Sequence, residues 1–91
     1  MSIRLQIPRM LREYSDGESE LALSVGTVRA AMEHLERDHP TLYRCVCDET
    51  GAVRRHVNLF VNNDFLQCRN GLDTVLMPGD VLTIFPAVSG G

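Results

Sequence analysis

Apolar and polar residues alternate with a period of two at both ends of this chain, and one stretch between them has the period of a helix. Ile3, Leu5 and Ile7 alternate with Arg4, Gln6 and Pro8, the pattern of a strand that buries one face. In the segment "EYSDGES", Asp16-Gly17 supplies the tolerance of positive φ that a tight turn needs. Leu21, Leu23 and Val25 then alternate again, which predicts an antiparallel hairpin with a longish loop. Val28, Ala31, Met32 and Leu35 share one face of an amphipathic helix, with Thr27 as its N-cap. Pro40 ends it, because a proline disfavours helical backbone at the preceding His39. On the polar side Arg29 with Glu33, and Glu33 with Arg37, stand four apart and are expected to pair.

"TLYRCVC" reads as a short helical turn and "DETGAVRR" as an exposed loop around Gly51. Alternation then resumes, with Val57, Leu59 and Val61 on one side and His56, Asn58 and Phe60 on the other. Asn62-Asn63-Asp64 is a turn, and Phe65 to Cys68 a short strand. A connection with turn signals at Asn70-Gly71 and Pro78-Gly79 leads to a last strand, Val81 to Phe85. The predicted order is β-β-α-β-β-β, an α+β fold in which one main helix covers one face of a mixed sheet of four to five strands. Leu5, Leu23, Leu35, Leu59, Leu82 and Ile84 are the expected core. Phe60 and Phe85 then fall on the uncovered face, where two aromatics mark a partner-binding patch, with Phe60 expected to be well exposed.

Length and composition narrow what such a fold could do. Ninety-one residues suit one domain, 1–91, and 44% hydrophobic content fills a single core without metals or disulfides. The net charge of −3 provides no basic field for nucleic acid or an anionic membrane. All nine cations are arginine, so there is neither a lysine nucleophile nor an internal ε-amine on which isopeptide-linked chains of this protein could be built. Three cysteines leave one over in any disulfide scheme, and the N-terminus lacks the regions of a signal peptide, so a reducing cytoplasm is expected. No apolar run approaches the ~20 residues that span a bilayer.

The ordinary sites are absent from the sequence. Neither GxxxxGK[ST] nor GxGxxG occurs, so no bound nucleotide is expected. His34, His39, His56, Cys45, Cys47 and Cys68 lack the spacing of a tetrahedral zinc site, and read as surface histidines and packing cysteines. A Cys/His nucleophilic pair would need a substrate pocket that a domain this small can scarcely enclose. What stands out instead is the ending "FPAVSGG". Pro86 cannot continue a strand's hydrogen-bond ladder, and the six residues from 86 to 91 reach at most about 20 Å. Glycine has no Cβ, so Gly90 and Gly91 fit a channel too narrow for other residues. A carboxylate is a poor electrophile until an oxygen becomes a leaving group, so Gly91 would need activation by a separate ATP-using enzyme.

"HVNLFVNN", "MPGDVLTIFPAVSGG" and the element order together resemble the MoaD/ThiS family of ubiquitin-like sulfur carriers, and within it the CysO type. Gly79-Asp80, Pro86 and Gly90-Gly91 carry the most specific part of the likeness. The resemblance implies a β-grasp (ubiquitin-like) fold with a flexible tail over 86–91. It also implies that an E1-like adenylating enzyme of MoeB/ThiF type acts on the Gly91 carboxylate with ATP, after which sulfur replaces one oxygen to give a thiocarboxylate. Gly91 is then the reacting residue, Gly90 its slender approach, and Phe60, Phe85, Pro86 and Val88 the docking contacts. The protein would be a sulfur donor rather than an enzyme, with no cofactor of its own. Its partners would be the activating enzyme, a sulfur-accepting biosynthetic enzyme and a metalloprotease that trims or recycles the tail. Cysteine or another sulfur-containing metabolite is the preferred product, ahead of molybdopterin and thiamine. Two alternatives stay open: a ubiquitin-like modifier conjugated through Gly91, and a ubiquitin-like interaction domain with an inert tail.

Overall fold

The computed structural model describes residues 2–66 and 69–86, the last by its backbone alone. Cys68, Val88, Gly90 and Gly91, all named above, lie outside the described residues. The first two strands, β1 (Ile3–Gln6) and β2 (Glu20–Leu23), pair antiparallel in the register Ile3↔Leu23 to Gln6↔Glu20. Their connection is a 3-10 helix, Arg9–Ser15, closed by Asp16 at φ 57° and Gly17 at φ 82°. The turn is held from inside: buried Ser15 donates its Oγ–H to the Glu18 carbonyl at 2.7 Å.

Helix α1 (Val28–Asp38) is capped by Thr27, whose hydroxyl accepts from the Ala30 amide at 3.1 Å. Pro40 does end it, but the same residue opens a second helix, α2 (Pro40–Val46). Proline is at ease there because the first turn of a helix needs no N–H from it. The short helical turn read at 41–47 is therefore a second helix packed on the first. The expected helix-surface pairs are replaced: Arg29 reaches Asp73 at 3.1 Å, and Arg37 lies 3.4 Å from Asp38. Asp73, on the 3-10 turn Gly71–Asp73, ties the long connection to α1.

Strand β3 (Val57–Val61) alternates buried and half-buried residues, β4 (Asp64–Phe65) is two residues long, and β5 (Val81–Pro86) takes in Pro86 at its end. The sheet runs β2-β1-β5-β3-β4, with β1 and β5 parallel in the centre and every other pair antiparallel. Leu5, Leu35 and Leu82 are fully buried, and Leu23, Leu59 and Ile84 keep 2% exposure or less, so all six expected core residues are in the core. Val28, Ala31 and Met32 of α1 and Leu42 and Val46 of α2 close it from one side.

Cys47 is buried at the end of α2, and burial pushes its thiol up to about 11, with the neighbouring Asp48 carboxylate adding to the shift. Burial also raises Cys45 and Tyr43. The unfolded thiol ionises near 9.0, so between there and about 11 the unfolded chain gives up a proton that the fold retains. The urea midpoint is therefore expected to stay level up to about pH 9 and fall from there to about 11. Cys47→Ala should flatten much of that fall. A wild-type midpoint level across the window would contradict the burial of the thiol.

Candidate functional site

Three side-chain hydrogen bonds fix the end of the sheet at which β5 begins, the end opposite Pro86. Asp80 accepts from the Met77 amide at 2.9 Å and from Asn62 Nδ2 at 3.3 Å, while Asn62 Oδ1 accepts from the Val81 amide at 3.1 Å. Gly79, at φ +89°, donates its amide to the Ser2 carbonyl at 3.0 Å. The "PGD" turn is thereby bound to both β1 and the β3–β4 hairpin, and it launches β5 between them. Pro86, paired with Val57, is the last residue of that strand.

The sheet face away from the helices carries Arg4 and Gln6 on β1, Thr83 and Phe85 on β5, Asn58 and Phe60 on β3, and Phe65 on β4. All three phenylalanines of the chain lie on this face and none is in the core. Phe65 is 44% and Phe85 57% exposed. The Phe60 ring is 4.4 Å from Phe65 and meets Phe85 edge-on at 6.0 Å, a geometry aromatic pairs favour. Phe60 is consequently half-buried rather than well exposed, flanked by its two neighbours across the strands. Such a patch with a covered centre and open flanks is shaped for an apolar partner surface.

Phe65 is the member of this patch that alternation along the chain did not place there. Its signal was the turn: Val61 pairs with Asp64, so Asn62-Asn63 is a two-residue hairpin loop, with Asn62 at φ 56°. A two-residue loop fixes register, and register places Phe65 opposite Phe60. Of the other predicted contacts, Phe60 and Phe85 come together in the patch and the Pro86 backbone adjoins it. Val88, Gly90 and Gly91 lie outside the described residues, with Gly91 five positions past Pro86.

The helical side offers less chemistry. Glu36, Tyr43, Arg44, Asp48 and Arg54 line an open cleft of about 330 Å3 there. Cys47 lies at its wall, and both Cys45 and Cys47 are held toward the protonated thiol, which works against nucleophilic use. The histidines are less superficial than expected. His56 is exposed, but His34 and His39 are half-buried, and His34 Nε2 is 3.2 Å from Asp38. Among the described residues no group of three or more His, Cys, Asp or Glu side chains is arranged to hold a metal ion. No helix of the described residues is long and apolar enough to cross a membrane.

Residues 5–91 match the ThiS family profile, a span that includes the open face, the Gly-Asp turn and the terminal diglycine. The chain belongs to the ThiS family. The sulfur carrier protein CysO of Mycobacterium tuberculosis is 32% identical over the full length of both chains. A chain in the crystal structure of the Amycolatopsis orientalis BexX/CysO complex superposes with a TM-score of 0.88 at 30% identity, covering 98% of this chain and 99% of that one. The small archaeal modifier protein 1 of Methanosarcina acetivorans superposes with a TM-score of 0.83 at 28% identity, covering 99% and 96%. The mixed sheet and its helices are a ubiquitin-like β-grasp, and the ThiS membership places the chain in a family of sulfur carriers.

Proposed function

We propose that this protein is a sulfur carrier whose reacting group is the Gly91 carboxylate, a co-substrate of partner enzymes rather than a catalyst. The observation that carries this reading is the gathering of all three phenylalanines at the strand that leads into the diglycine. A partner gripping that face has the tail at hand, since the five residues after Pro86 reach about 17 Å when extended. Docking thereby makes the reaction at Gly91 nearly intramolecular.

An adenylating enzyme supplies the activation: the Gly91 carboxylate oxygen attacks the α-phosphorus of ATP and pyrophosphate leaves. A sulfide-level donor then attacks the acyl carbon, AMP departs, and a thiocarboxylate remains to deliver sulfur to an acceptor enzyme. CysO of A. orientalis has been crystallised with BexX, which supports docking of this kind by a relative. A cytoplasmic setting, a metalloprotease acting on the tail, and cysteine or another sulfur-containing metabolite as product complete the reading.

Incubation with the cognate adenylating enzyme, ATP and sulfide should exchange one oxygen for sulfur, seen by intact mass. Higher-mass protein adducts without that exchange would favour the modifier reading, which the likeness to the archaeal modifier keeps in view. Phe85→Ser should cost no more than about 1–2 kcal/mol of stability, because the ring is 57% exposed and loses chiefly its edge contact with Phe60. It should nonetheless weaken partner binding by about 1–2 kcal/mol or more, as expected for an aromatic anchor and checked by titration calorimetry. Unchanged affinity would remove the aromatic face from the mechanism.

A further inference from the structure

On the β1 side of the tail's root, opposite the aromatic patch, Gln6, Arg12, Glu20, Thr83 and Phe85 line an open cleft of about 330 Å3. Topology creates it. β1 stops at Gln6, abreast of Thr83, while the parallel β5 runs on to Pro86, so the chain leaving β1 for the 3-10 helix lines a cleft beside the last residues of β5. Arg12, half-buried on this helix, is tethered by an Nε–H bond to the Ile7 carbonyl at 3.1 Å. The tether engages one donor of a planar group that has five, and the two Nη nitrogens are not part of it. Among the described residues no carboxylate lies within ion-pair distance of Arg12. Glu20, the acid of the cleft, is turned to Arg4, with 4.0 Å between its Oε1 and the Arg4 Nε. A chain of net charge −3 thus holds, beside the end of its last strand, a pre-positioned guanidinium with no ion-pair partner among the described residues.

We propose that this cleft is a recognition site for an acidic side chain, Asp or Glu, on the rim of the adenylating enzyme's tail channel, bound bidentately by Arg12. The inference rests on the sulfur-carrier reading and names a contact of that same docking event. A guanidinium fork held by its own backbone loses little freedom on meeting a carboxylate and fixes its direction as well as its distance. Phe85 lines both the cleft and the aromatic patch, so one surface can cover the two. A polyphosphate is a poorer fit for the site. Fully extended, the five residues after Pro86 would span about 17 Å, a span that would set ATP at the reacting carboxylate beyond Arg12.

The test is the rate of ATP-dependent thiocarboxylate formation by the cognate adenylating enzyme, measured against carrier concentration at several ionic strengths. Arg12→Gln should raise KM for the carrier about tenfold, the worth of one charge-assisted hydrogen bond, with kcat unchanged. Its KM should also depend less on salt than that of wild type. Thr83→Glu places a competing carboxylate in the cleft without touching the Ile7 tether and should give the same KM rise. It separates recognition from any loosening of the loop in the Arg12 variant. If both variants keep the wild-type KM while wild type forms thiocarboxylate, the cleft proposal is overturned and the carrier reading stands. If wild type forms none, the carrier reading is the one that fails. A KM rise confined to the sulfur-accepting enzyme would overturn the assignment to the adenylating partner.

Discussion

Deleting Gly91 is expected to abolish thiocarboxylate formation while leaving the unfolding transition of the domain where it was. The buried core runs from Ile3 to Ile84, and the last strand ends at Pro86, so no core side chain or sheet pairing described here depends on residue 91. The chemistry, by contrast, would shift to the carboxylate of Gly90, one residue short in a channel where a displacement of about 1 Å can cost 10²-fold. Intact mass after incubation with the adenylating enzyme reads the first half, and a thermal melt reads the second. A truncated protein that still gains sulfur would place the reacting group elsewhere. One that melts several degrees lower would give the tail a structural role.

Leu59→Ala should have the largest effect on stability, about 2–5 kcal/mol. Leu59 is 1% exposed at the middle of β3, paired with Ile84 of β5 and part of the core that α1 and α2 close. Its truncation removes buried methyl groups beside β5 in the core that both helices cover, and any cavity left behind adds to the lost transfer energy. Against a total of roughly 5–15 kcal/mol for a native domain, that is a large share. For a chain of this size it should appear as a fall in Tm of about 10 °C or more. A drop below about 1 kcal/mol would mean that the core is packed more loosely around β3 than the burial pattern indicates.

Much of this fold was legible because its strands bury one face and its main helix buries one stripe, so hydrophobic periodicity alone located β1, β2, α1, β3 and β5. The N-cap at Thr27 was equally readable, since a side-chain cap is a local device. What escaped was decided by tertiary contacts. Arg29 prefers Asp73, 44 residues away, to Glu33 one turn along, because the connection carrying Asp73 packs against α1. The second helix was ambiguous because Pro40 is a stop signal for one element and a favourable first residue for the next. The aromatic patch was half legible. Alternation put Phe60 and Phe85 on the open face, but Phe65 needed the hairpin register, and with it the reason why Phe60 is shielded. The diglycine ending was legible from composition and resemblance, whereas the Arg12 cleft was not, since it depends on the parallel pairing of β1 with β5.

That parallel pairing has a consequence for how the carrier comes into being. The middle strand of the sheet is β5, the last of the fold, and it lies against β1, the first, so the centre joins residues some 77 positions apart, Arg4 with Val81. A growing polypeptide can form its opening hairpin and its helices early, yet it must wait for residues 81–86 before the centre closes, and such distant closure is slow. Closure of the sheet therefore waits on β5, the same strand whose last residue, Pro86, leads into residues 87–91.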